Sequence, residues 1–92
     1  MFHRVKDVKP LENYIIEVIF QNNEKKYYDI SRLFKKWTIF QSLQEISGLF
    51  EQVKVDPGGY GISWNDEIDL SCDELWENGN FTIIEQGRII SK

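Results

Sequence analysis

The densest group of side chains able to do chemistry in this chain is acidic. Asp66, Glu67, Asp69, Asp73, Glu74 and Glu77 follow one another closely. Carboxylates so arranged could hold calcium, but an EF-hand loop needs alternating oxygen ligands, a glycine at its sixth position and a glutamate at its twelfth. Counted from Asn65, those positions are Leu70 and Trp76, so the template fails. Helix capping and a solvated acidic face account for the group instead. Cys72 lies among these acids at the start of an expected helix. The helix dipole would favour its thiolate and the neighbouring carboxylates would oppose it. No histidine is near in sequence to serve as its base, because His3 is the only one and lies close to the first residue. Gly58-Gly59-x-Gly61 follows one strand-like run and leads into another, so it cannot present a phosphate to a helix start. With no zinc-ligand pairs either, neither a cofactor nor a metal is expected.

A second group is basic and aromatic. Lys25, Lys26, Arg32, Lys35 and Lys36 are interleaved with Tyr27, Tyr28 and Trp37. Such a mixture can bind single-stranded nucleic acid through stacking and phosphate contacts. It also describes a lysine-protected strand edge followed by a capped helix.

The elements that must carry these groups can be read from periodicity. Residues 2–9 form a first strand, bulged in places and closed by Pro10, and Glu12-Asn13 turn the chain. YIIEVIF, residues 14–20, is apolar on both alternating faces and reads as a central strand. Asn22 and Asn23 suit the next turn, since asparagine accepts positive φ. Residues 25–30 return, with Lys26, Tyr28 and Ile30 on one face. From Ser31, taken as a cap, the spacing becomes helical over 31–47 and is expected to break near Trp37-Thr38. Residues 50–56 and 60–65 then alternate around Asp56-Pro57-Gly58-Gly59, predicting a hairpin with Val53, Val55, Ile62 and Trp64 inward. Gly61 is expected to mark a bulge, with close approach of another backbone as the alternative. Ser71-x-x-Glu74 has the form of a capping box opening a helix over 72–77, and Asn78-Gly79 would close it in a left-handed turn.

The order of elements predicts an α+β fold. A small antiparallel sheet of four to five strands carries two or three short helices, in the order strand-strand-strand-helix-strand-strand-helix. Residues 1–79 are expected as a single domain and 80–92 as a C-terminal extension, either an extra strand or a partner-binding tail that supports self-association. Ninety-two residues with 41% hydrophobic and 14% aromatic content suffice for one core without staples. The lone Cys72 excludes an internal disulfide, and no apolar run approaches the ~20 residues that span a bilayer. With charges at Arg4, Lys6 and Asp7 in place of a signal-peptide core, a soluble cytoplasmic protein with no membrane partner is expected. The net charge of −4 divides unevenly, since residues 1–36 are basic on balance and residues 37–92 strongly acidic. That balance argues against nucleic acid as the main partner.

Several runs together resemble a known family. They are Lys9-Pro10-Leu11, Phe20 with Asn22 and Glu24, Asp29-Ile30, Phe50 ahead of Val53-Lys54-Val55, Ile62-x-Trp64 and Asp69-Leu70. Over about residues 4–79 the chain resembles the small bacterial proteins grouped as domain of unknown function 2442, with Asn23 where that family usually has glycine. The resemblance implies an α+β fold with antiparallel strands and no assigned activity. It singles out Asp29, Trp64, Asp69 and Leu70, which are expected to be structural: Trp64 as a core anchor, Asp69 as acceptor for turn amides. Some relatives are encoded beside toxin-like proteins, and some are fused to helix-turn-helix domains; no second domain is expected in these 92 residues.

The expectation is a non-enzymatic protein-binding or adaptor domain, with an antitoxin-like role as a special case. Nucleic-acid binding through residues 25–37 is the alternative. A small-ligand or enzymatic pocket near Trp64, Asp69 and Cys72 is the third reading.

Overall fold

The computed structural model describes residues 3–80, 82–84 and 88–90. Phe2, which opens the expected first strand, and residues 81, 85–87, 91 and 92 of the C-terminal extension lie outside the described residues. The fold is α+β, but the single sheet expected is replaced by two three-stranded antiparallel sheets and a two-stranded one. The first holds β1 (Val5–Pro10), β2 (Ile15–Phe20) and β3 (Lys25–Asp29), in that order. Ile16, Val18 and Phe20 are buried on the core side of β2 and Ile15 on the other, which suits its central place. A register shift between Val5 and Asp7 bulges β1. Asn23 has φ 70°, so asparagine does in this hairpin what a glycine would do.

Short 3₁₀ turns and one helix follow. Residues Ile30–Leu33 and Thr38–Gln41 are 3₁₀ turns, and α1 (Ser42–Glu45) continues the second. The break falls at Trp37, which is extended at φ −132°. The cap of the first turn is Asp29 and not Ser31: its Oδ1 accepts from the Ser31 amide at 3.0 Å and the Ser31 hydroxyl at 2.5 Å.

The second sheet is β4 (Lys54–Val55), β5 (Gly61–Ser63) and β6 (Asp69–Ser71). The expected strand over 50–56 shrinks to two residues because Phe50–Gln52 wind into a 3₁₀ turn that buries Phe50. Ile62 and Trp64 are buried as expected, with Val53 and Val55 half-buried against them. The Trp64 indole N–H donates to the Phe50 carbonyl at 3.1 Å. Gly61 is no bulge: it pairs with Ser71 in an unbroken register, and a Cβ there would collide with the Leu70 carbonyl oxygen. The two sheets meet where Gly59 lies against β1, a Cβ at this glycine falling 2.5 Å from the Val5 carbonyl. Arg4 fastens the same corner through a 2.8 Å bond to the Tyr60 hydroxyl.

Helix α2 (Cys72–Asn78) begins where the capping signal put it, and the Ser71 hydroxyl accepts from the Glu74 amide at 3.1 Å. Two details differ. The Glu74 carboxylate does not return to the cap but accepts a 2.6 Å bond from the Tyr28 hydroxyl. Gly79 is extended, at φ −79°, and a Cβ there would lie 2.5 Å from the Leu75 carbonyl, so close packing and not a left-handed turn calls for glycine. Beyond α2, Asn80 bridges to Tyr27 on the open side of β3. β7 (Thr82–Ile84) and β8 (Arg88–Ile90) pair as an antiparallel hairpin.

Candidate functional site

The basic-aromatic segment does not form one face. Alternation along β3 turns Lys26 and Tyr28 inward, where both are buried. The Lys26 ammonium donates to the Trp76 carbonyl and sits 4.0 Å from the centroid of the Trp76 ring. His3 stacks on Trp76 as well, with ring centroids 3.7 Å apart. Burial lowers the Lys26 pKa, with Glu24 acting in the opposite sense. Lys25 is exposed and lies 3.9 Å from the Glu17 carboxylate. Arg32, Lys35 and Lys36 are exposed, and Lys36 holds its ammonium 4.5 Å above the Trp37 ring.

Trp64, Asp69 and Cys72 do not converge on a cavity. Trp64 is core, with its indole N–H already bonded. Cys72 is buried too, and burial first, then Asp73, push its thiol pKa up, away from the thiolate a nucleophile needs. Asp69 is exposed on β6. The turn amides it was expected to bind are taken by Asn65, whose Oδ1 accepts from Glu67 and Ile68 at 2.9 Å each. Leu70 is buried. Among the described residues, no group of three or more His, Cys, Asp or Glu side chains is placed to hold a metal ion.

What the structure does bring together is a cleft of about 380 Å³ between the Trp37–Phe40 segment and β6. One wall is Trp37, Ile39 and Phe40; the other is Glu67, Asp69, Leu70, Ser71 and Glu74. Trp37 and Ile39 are 40% and 42% exposed, while Phe40 is buried beneath them with its ring 5.8 Å from Trp37. The extended backbone at Trp37 projects the indole outward: it ends the first turn, and its carbonyl accepts from the Phe40 amide at 3.0 Å as the next begins. Glu74 is held by Tyr28, whose hydroxyl pKa is raised by burial and by that carboxylate. Among the described residues, no lysine or arginine pairs with Glu67, Asp69 or Glu74. The cleft therefore offers an indole, with Lys36 over one side of it, and three carboxylates that form no salt bridge among the described residues. Cations are favoured over an aromatic face and beside carboxylates.

A second cleft, of about 530 Å³, opens between Leu11–Tyr14 and the Leu43–Gly48 stretch. Asn13 and Tyr14 both have φ 60° there, and Tyr14 is secured by edge-on packing against Phe34 at 5.3 Å and Phe50 at 5.2 Å. The sequence singled out neither cleft as such, although Asp69, named in the third reading, lines the first. Its nearest signal to the first was Trp37-Thr38-Ile39-Phe40, apolar but poorly helical.

Residues 5–81 match the model of a family described as Protein of unknown function (DUF2442), and the chain belongs to that family. No curated protein and no solved structure matches it.

Proposed function

We propose that this chain is a non-enzymatic domain that binds another polypeptide, using the Trp37–Asp69 cleft, and that it does so in the cytoplasm. The observation that carries the reading is the exposure of Trp37 and Ile39 beside three carboxylates that have no basic partner among the described residues. Large apolar side chains grouped at the surface and rimmed by polar groups mark interaction sites. Tryptophan is prominent among residues that anchor interfaces. The unpaired carboxylates call for a partner with basic side chains. The buried thiol of Cys72 and the stacking of the only histidine on Trp76 favour binding over catalysis. Among the described residues no helix is long and apolar enough to cross a membrane. Neutralisation of a toxic partner is a special case, which co-expression with the adjacent gene product would test by rescue of growth.

The reading is tested by affinity purification of the tagged chain from its native host, in parent and Trp37→Glu forms. The expected result is one stoichiometric protein that accompanies the parent and is lost from the variant. Recovery of the chain alone, or of the same partner with both forms, would overturn it.

A further inference from the structure

The polypeptide-binding reading leaves open how the partner is held, and the hydrogen-bond ladder of β6 answers that. The Trp64 amide donates to the Ile68 carbonyl at 2.9 Å and the Cys72 amide to the Tyr60 carbonyl at 2.8 Å. Ile62 lies opposite Leu70 in the same register. Even-numbered positions thus bond to β5, and in an antiparallel ladder the intervening residues direct their backbone groups the other way. The N–H and C=O of Asp69 and the N–H of Ser71 therefore face outward from β6, the last strand of its sheet. Among the described residues they meet no backbone partner. This open edge runs along the cleft, with Trp37, Ile39 and Phe40 across from it.

We infer that β6 accepts an added strand: an extended basic segment of a partner protein, with arginine or lysine alternating with apolar residues, lies in the cleft and bonds to Asp69 and Ser71. An added strand sits ~4.8 Å from its neighbour, and backbone bonds supply affinity while alternate side chains supply specificity. Its apolar positions meet Ile39, with Phe40 buried beneath. Its cationic positions reach the Trp37 ring and the carboxylates of Glu67 and Asp69. The Lys36 ammonium already occupies a position over that indole, a model for the cation a partner would bring. Arginine suits the site better than lysine, because its planar group both stacks and forks to a carboxylate. A second copy of this chain is disfavoured at this edge, since pairing β6 with itself would bring together two edges that each carry Glu67, Asp69 and Glu74.

The test uses the full chain and three capped peptides: acetyl-Val-Arg-Val-Arg-Val-amide, the same sequence with alternate amides N-methylated, and its glutamate counterpart. Amide chemical shifts report the binding position. The arginine peptide is expected to move resonances at residues 37–40 and 67–74, with affinity that falls as salt rises. The N-methylated and glutamate peptides are expected not to bind. Asp69→Asn and Trp37→Ala should each weaken the arginine peptide by about two- to fivefold, in line with exposed ion pairs and cation–π contacts. Shifts confined to the Tyr14 cleft or to residues 25–36 would overturn the inference, as would undiminished binding of the N-methylated peptide or no binding at millimolar concentration. Failure here is separable from failure of the polypeptide-binding reading. A native partner lost on Trp37→Glu, but leaving the exchange of the Asp69 and Ser71 amides unchanged, defeats strand addition alone.

Discussion

Removing the Tyr28 hydroxyl tests how the cleft is built. In Tyr28→Phe the ring keeps its buried place and only the 2.6 Å bond to Glu74 is lost. A hydrogen bond to a charged group contributes about 1.5–3 kcal/mol, and water can reach the half-buried Glu74, so a value at or just below the lower end applies: about 1–2 kcal/mol. For a domain of this size that corresponds to a fall in Tm of roughly 5–15 °C. Glu74→Gln in both backgrounds should give a coupling of about 1 kcal/mol in chemical unfolding. The pair also has a pH signature. Burial first, then the bond and charge of Glu74, raise the Tyr28 pKa above its unfolded value near 10. The folded chain then retains a proton that the unfolded chain releases, so this contribution is whole below about pH 10 and declines as pH rises further. Lys26, whose folded pKa is lowered, pulls the other way, gaining stability as pH rises toward its unfolded value; it cancels in the difference between parent and Tyr28→Phe. That difference should be flat from pH 7 to 9 and shrink above 10. A variant within about 0.3 kcal/mol of the parent, or a coupling near zero, would refute the reasoning.

Other perturbations have equally definite outcomes. Gly61→Ala drives a Cβ into the Leu70 carbonyl and should cost about 2–3 kcal/mol in urea unfolding, whereas Gly48→Ala, at φ 83° with open space around it, should cost only about 1–2. Ser71→Ala removes the acceptor for the Glu74 amide and should lower stability by about 1 kcal/mol, with Ser71→Asp recovering most of it. Trp37→Ala, at a side chain 40% exposed, should change stability by less than about 1 kcal/mol while reducing partner binding. A larger loss of stability would make Trp37 a core residue and remove the main support for the cleft.

The parts of the fold legible in the sequence are those that local chemistry decides. Ser71 announced the start of α2, the poor helical run at Trp37 announced the break, and Ile62-x-Trp64 showed its inward face by alternation. What was missed depends on distant partners. β6 has only Leu70 as an apolar member, and its last residue also serves as a helix cap, so nothing local distinguishes it from a turn. Lys26 reads as a surface lysine until Trp76, fifty positions on, provides a carbonyl and a ring to take its ammonium. Glycine at 61 is explained by the Leu70 carbonyl of the neighbouring strand, which the sequence offered only as the alternative to a bulge. The cleft was invisible for the same reason: Trp37 and Asp69 belong to segments joined only by the tertiary fold. Alternation along residues 25–30 already placed Lys26 and Tyr28 on one face, and their inward turn divides the basic patch that composition had suggested.

The most direct test of the central claim is amide hydrogen exchange on this chain, free and in complex with the protein that co-purifies with it. Protection on binding is predicted at residues 37–40 and 67–74, with the outward amides of Asp69 and Ser71 slowed most. Protection falling on residues 25–36, or on the Tyr14 cleft, with residues 67–74 unchanged, would contradict it.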